Sequence, residues 1–214
     1  MSHSPARERL NAKLRERNQA PDRVAAIDDE IAGEFQRPMA VLMLDMCGFS
    51  RISHHHGIIA FLAMIVQMEE AARPAVEGNG GRVVKQEADN LLAAFPRPEQ
   101  ALEAALDVFR AFEAINTVVP DERDIRGSVG IGYGPMLVVG DDDLYGTELN
   151  FASKLGEDLA CAHEILLTAA AWSALPEGRY RGHAVTHRIS GLEIVCHKFE
   201  AVIHEDATPA PPGP

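Results

Sequence analysis

Residues 22–35 place Ile27, Ile31 and Phe35 at four-residue spacing, the narrow apolar stripe of an amphipathic helix. Leu102, Ala105, Leu106, Phe109 and Phe112 recur at three to four residues and predict a second helix, started by Pro98, that covers one face of a sheet. Ile58, Leu62, Ile65 and Met68 predict a third over 58–72, ended or bent by Pro74. Elsewhere the apolar runs are shorter. Val41 to Leu44 is unbroken and ends abruptly in Asp45, as a buried strand would. Arg82–Gln86 and Leu91–Phe95 flank Glu87-Ala88-Asp89-Asn90, which predicts a β-hairpin with Asp89 near its tip. SVGIGYG and MLVVG predict two strands joined by Gly134-Pro135. TELNFASKLGEDLA is amphipathic, with Leu149, Ala152 and Leu155 toward the core. After it come a strand at 164–168, a short helix at 169–175, and strands at 183–190 and 192–203 that meet near Gly191. Helices alternate with strands, yet several strand pairs have short turns, which predicts an α/β (α+β) domain with a mixed sheet.

The 214 residues, 46% of them apolar, suffice for one full core. Residues 1–37 read as a helical arm, 38–204 as the main domain and 205–214 as a disordered proline-rich tail. The arm either stays solvated or packs on the domain or on a second copy. A net charge of −12 argues against nucleic acid or an anionic membrane as the main partner. Cys47, Cys161 and Cys196 are widely spaced, with no CxxC pair and no leader before them, which predicts a reducing cytoplasm. The greasiest run, Ile58 to Val66, is far shorter than the ~20 residues of a membrane span.

The chemistry concentrates where apolar runs end in acid. If the Asp45 strand and the hairpin share a sheet, Asp45 and Asp89 converge at one end of it, and paired carboxylates suit two hard cations ~3.5–4 Å apart. Taken alone, Asp45 is more simply read as a helix cap and Asp89 as part of a turn. Gly48 and Ser50 follow at a helix start, whose free amides form a ready phosphate site. His54, His55 and His56 point in different directions and chelate poorly. Asn150 and Lys154 stand four apart and share one helix face.

With these segments located, the chain resembles the class III nucleotidyl cyclases, the adenylyl and guanylyl cyclase catalytic domains, from about Met39 to Ile203. VLMLDMCGFSRIS resembles the family's first metal-aspartate motif, GGRVVKQEADNLLAAF its second, and GDDDLYGTELNFASKL its base- and ribose-binding segment. The resemblance implies a mixed central sheet with flanking helices and a ferredoxin-like, palm-like core. It implies that Asp45, Asp89 and the Met46 carbonyl hold two Mg²⁺ (or Mn²⁺), and that the amides of Cys47, Gly48 and Phe49 cradle phosphate. Lys85 and Asp143 fall on the base-selecting pair that marks ATP use, Asn150 on the ribose-orienting asparagine, and Lys154 on the cation at the α-phosphate. The implied reaction turns ATP into cyclic AMP and pyrophosphate at sites shared across a homodimer.

The chain departs from the family at named positions. Lys154 stands where most members have arginine, which keeps the charge and loses the bidentate fork. Ala88 replaces a glycine and restricts the turn before Asp89. A lysine usual near Ser190 is absent, leaving Arg188 as the candidate for that phosphate contact. These departures carry two alternatives: a weak or inactive domain that binds nucleotide or dimerises, or a cyclase with another base preference. The arm is the only candidate regulator, as a helix that packs on the domain and tunes dimer geometry.

Overall fold

The computed structural model describes residues 4–48, 57–140, 143–189 and 192–203. Phe49, Ser50, His54 to His56, Ser190 and the 205–214 tail, on which some expectations fell, lie outside that set. An eight-stranded sheet runs β2-β3-β1-β4-β6-β8-β7, with β5 also paired to β4. The strands are β1 (Gln36–Met46), β2 (Arg82–Glu87), β3 (Asn90–Phe95), β4 (Gly127–Val139), β5 (Asp143–Tyr145), β6 (Ile165–Thr168), β7 (Tyr180–Ile189) and β8 (Leu192–Val202). All these neighbours are antiparallel except β4 and β6. With α3 (Ile58–Gly78) and α4 (Pro98–Asn116) between its strands, the unit β1-α3-β2-β3-α4-β4 has the ferredoxin-like order, and the fold is α+β.

Both faces of β1 are covered, which is why its sequence reads as an unbroken apolar run. Ala40, Leu42, Leu44 and Met46 enter the large core under α3 and α4. Val41 and Met43 point to the other face and join Leu92, Ala94, Met136, Leu144 and Ala152. That second face is roofed by α5 (Thr147–Ser153), which runs into a π-helical turn, Lys154–Leu159. The roof lies directly on β4. A Cβ at Gly130 would stand 2.0 Å from the Ala152 carbonyl oxygen, and one at Gly132 2.3 Å from that of Glu148. Beside them the buried Ser128 hydroxyl donates to the Gly156 carbonyl at 3.0 Å.

Two expected boundaries move. Helix α3 continues through Pro74 to Gly78, because Ala72 and Val76 on either side of the proline are buried, and that packing outweighs one lost helical hydrogen bond. Its buried face runs through Phe61, Met64, Met68 and Ala72, while Ile58 and Leu62 are exposed. The runs on either side of Gly134-Pro135 form the single strand β4. Pro135 lies opposite Pro38 of β1, so the two residues without an N–H share one register position and the pairing runs on through it.

The arm packs on the domain as a hairpin of α1 (Pro5–Gln19) and α2 (Val24–Phe35). Ile27, Ile31 and Phe35 are buried against Leu10 and Val139. Arg9 pairs with Glu34 at 2.7 Å, Lys13 with Glu30 at 2.8 Å and Arg17 with Asp28 at 2.5 Å. Exposed pairs of this kind add little to stability, but the four-residue steps along α1 select one register. Helix α2 passes into β1 with no residue between Phe35 and Gln36.

Candidate functional site

The register of β1 with the β2–β3 hairpin brings the two acidic motifs together. Asp45 faces Asn90 across the strands, and the Met46 N–H donates to the Asp89 carbonyl at 3.1 Å. Residues 88 and 89 form a two-residue turn, with Ala88 in the left-handed region at φ 51°. Asp45 projects to the face roofed by α5, next to the acidic π turn. Burial pushes its carboxyl up to about 7, with the charges of Asp89, Glu157 and Asp158 adding to the rise. Burial also raises Glu157, with Asp158 and Asp89 acting the same way and Lys154 opposing them.

Beside this strand end lies a cavity of about 240 Å³ into which Lys85, Asp143 and Asn150 converge, together with Asn90 and Glu157. Lys85 pairs with Glu87 at 2.5 Å, and that bond, then Asp143 and Tyr145, raises its pKa despite slight desolvation. Burial would raise the Asp143 carboxyl, yet hydrogen bonds from Tyr145, Arg7 and the Leu144 N–H outweigh it and hold Asp143 below the usual carboxylate range. A larger depression of about 480 Å³ beside α3, lined by Ile59, Ala63 and Met64 with Glu122 and Arg123, has no comparable set of convergent polar groups.

The remaining expected residues are placed less favourably. Lys154 caps α5 through its N–H to the Asn150 carbonyl, so the two stand one turn apart, but its exposed side chain does not line the cavity. The Cys47 amide is a correction: it donates to the Arg126 carbonyl at 2.7 Å and is not free for phosphate. Gly48, with φ 91°, is exposed beside it, and Phe49 lies outside the described residues. Arg188 is on β7, with β8, β6 and β4 between it and β1, and pairs with Glu193 at 2.6 Å. In this chain it does not approach Asp45.

Hard oxygen donors are the chemistry a divalent cation takes, and Asp45 and Asp89 supply them. Among the described residues neither is ion-paired, and the buried Asn90 amide oxygen opposite Asp45 has no hydrogen-bond partner. The donor set therefore fits such an ion. No three His, Cys, Asp or Glu side chains among the described residues are already gathered around one point. Asn90, Glu157 and Asp158 escaped the sequence reading, although the hairpin register was a signal for Asn90. Arg7, on Asp143, had no local signal.

No family model matches the chain. A segment of 120 residues, 56% of this chain, is 30% identical to "Putative adenylate cyclase 3" of Rhizobium meliloti (strain 1021), and the match covers 20% of that relative's length. Among solved structures, the adenylate/guanylate cyclase/hydrolase from Silicibacter pomeroyi superposes with a TM-score of 0.63 at 22% identity, over 77% of this chain and 96% of that one. A guanylate cyclase domain from Catenaria anguillulae in complex with GTP gives 0.65 at 18%, over 78% and 99%. A bacterial light-regulated adenylyl cyclase gives 0.64 at 16%, over 76% and 89%. The fold is that of adenylyl and guanylyl cyclase catalytic domains. No helix among the described residues is long and apolar enough to cross a membrane.

Proposed function

We propose that this chain, folded as a cyclase catalytic domain, is a class III adenylyl cyclase that converts ATP to 3′,5′-cyclic AMP and pyrophosphate. The observation that carries the reading is the convergence of Lys85, Asp143 and Asn150 on one cavity beside the Asp45–Asp89 junction. The Lys85 ammonium is a donor for the ring N1 of adenine, and the Asp143 carboxylate an acceptor for its 6-amino group. Guanine reverses that pattern, so the pair favours ATP over GTP. Asn150, at the cavity wall, orients the ribose, and Lys154, one turn on, supplies positive charge toward the α-phosphate.

Asp45, Asp89 and the Met46 carbonyl would hold two Mg²⁺ or Mn²⁺, which supply Lewis-acid stabilisation of the phosphates and a lower pKa for the attacking 3′-hydroxyl. The protein's own share is positioning: in each site the base pocket of one subunit fixes the base and the strand end of the other fixes the phosphates. The resemblance divides these half-sets between the subunits of a homodimer, so a monomer is inactive. The engaged Cys47 amide favours a second reading, a domain that binds nucleotide and turns it over slowly or not at all.

The test offers ATP, GTP, CTP and UTP separately, in Mg²⁺ and in Mn²⁺, to the full chain and to Asp45→Ala. The expected result is cyclic AMP and pyrophosphate from ATP, with at least ~100-fold loss in the variant. A dimeric protein that binds ATP and forms no cyclic product with either metal would establish the second reading instead.

A further inference from the structure

Asp143 is held from behind. Arg7, in the first turn of α1, is 136 residues away in sequence, yet its Nη2 pairs with Asp143 Oδ2 and its Nη1 donates to the Tyr145 hydroxyl at 2.9 Å. The Tyr145 hydroxyl in turn donates to Asp143 Oδ2 at 2.9 Å, and the Leu144 N–H donates to Oδ1 at 3.0 Å. The Arg7 guanidinium also stands 5.9 Å from the centre of the Tyr145 ring. Local structure fixes the base of this side chain. Ser4 Oγ accepts from the Arg7 N–H at 3.4 Å, and a Cβ on Gly140, in the β4–β5 turn, would stand 3.3 Å from Ser4 Oγ.

Neither Arg7 nor Tyr145 lines the cavity, whereas Asp143 does. A carboxylate has about four acceptor sites, and three are taken here, two on Oδ2 and one on Oδ1. The acceptor site left over is on Oδ1. We propose that Arg7 is a positioning residue for base selection: the arm locks the Asp143 carboxylate so that one Oδ1 acceptor meets the amino group of the base, which makes the helical hairpin a working part of the nucleotide site. This rests on the reading of Asp143 as a base-recognising group. With Tyr145 and the Leu144 N–H, the permanently protonated Arg7 favours the ionised, acceptor-only form of Asp143, the state that rejects a base edge bearing an acceptor.

The experiment measures kcat and KM for ATP and for GTP with the full chain and with Arg7→Met, Arg7→Lys, Arg9→Met and Asp143→Asn. Arg9 lies on the same helix and pairs with Glu34, so it reports a general loosening of the arm. Arg7→Met is expected to raise KM for ATP and cut the ATP-over-GTP preference about tenfold with little change in kcat, and Arg7→Lys to recover part of it. Arg9→Met should leave the preference intact. An unchanged preference in Arg7→Met, or an equal loss in Arg9→Met, overturns the inference. If Asp143→Asn shifts the preference and Arg7→Met does not, the inference falls alone; if neither shifts it, the reading of the base pocket falls too. For a chain that turns over neither nucleotide, equilibrium binding of ATP and GTP gives the same ratio, and equal affinities overturn the proposal.

Discussion

The cavity and the strand end beside it follow opposite electrostatic plans. In the cavity Lys85 is matched by Glu87, and Asp143 by Arg7 and Tyr145. At the strand end Asp45 meets Asp89, Glu157 and Asp158, all of one sign, and its carboxyl rises to about 7, chiefly through burial. The charges of the cavity are paired by the protein itself. The strand end is left in mutual repulsion, which a bound cation would relieve, so it stores affinity at the expense of the cation-free fold.

The contrast breaks most severely at the roof. Gly130→Ala drives a methyl into the Ala152 carbonyl, which is backbone and cannot swing aside, so α5 and Asn150 must lift from β4. A loss of about 2–3 kcal/mol is expected by urea unfolding, together with weaker nucleotide binding. Retained stability would show that the roof is looser than these contacts imply.

The cost of an ionised Asp45, from burial first and like charges second, is tested by Asp45→Asn in metal-free protein. A folded-state pKa raised from 3.8 to about 7 means that the group's contribution to stability is complete below pH ~4 and is lost as pH rises to about 7. The variant cannot ionise there and escapes that loss. With Asp45 half-exposed and screened by solvent, it should gain about 1–2 kcal/mol over the wild type at pH 8 in EDTA and little at pH 4. An equal gain at both pH values would assign the effect to packing.

The smallest effect sharpens the picture at the hairpin tip. Ala88 at φ 51° pays a steric penalty that glycine avoids, so Ala88→Gly should stabilise the fold by about 0.5–1 kcal/mol in a thermal melt. Destabilisation would mean that glycine's chain entropy dominates at this turn.

Much of this was legible in the sequence where the signal was local. The 82–95 hairpin, the Ile27-Ile31-Phe35 stripe and the helix from Pro98 are periodicities of neighbouring residues, and each appears where the pattern placed it. Lys85, Asp143 and Asn150 came from the resemblance to the cyclase motifs, and their meeting in one cavity depends on the sheet register. What could not be read depended on distant partners. Pro135 looked like a break until Pro38 stood opposite it, and Pro74 until Ala72 and Val76 were seen to be buried. The Cys47 amide looked free because Arg126 is remote in sequence, and Arg7 looked like any charge on a helix surface.

The direct passage from Phe35 into Gln36 also fixes a phase. One residue added at that junction would turn the helical hairpin by about 100° relative to the sheet, carrying Arg7 off Asp143, or slip β1 by one position and point Asp45 at the opposite face. Loops elsewhere can absorb a change of length. Here a single inserted residue dephases the cavity or the strand end beside it, so the arm and the sheet are constrained to vary as one unit.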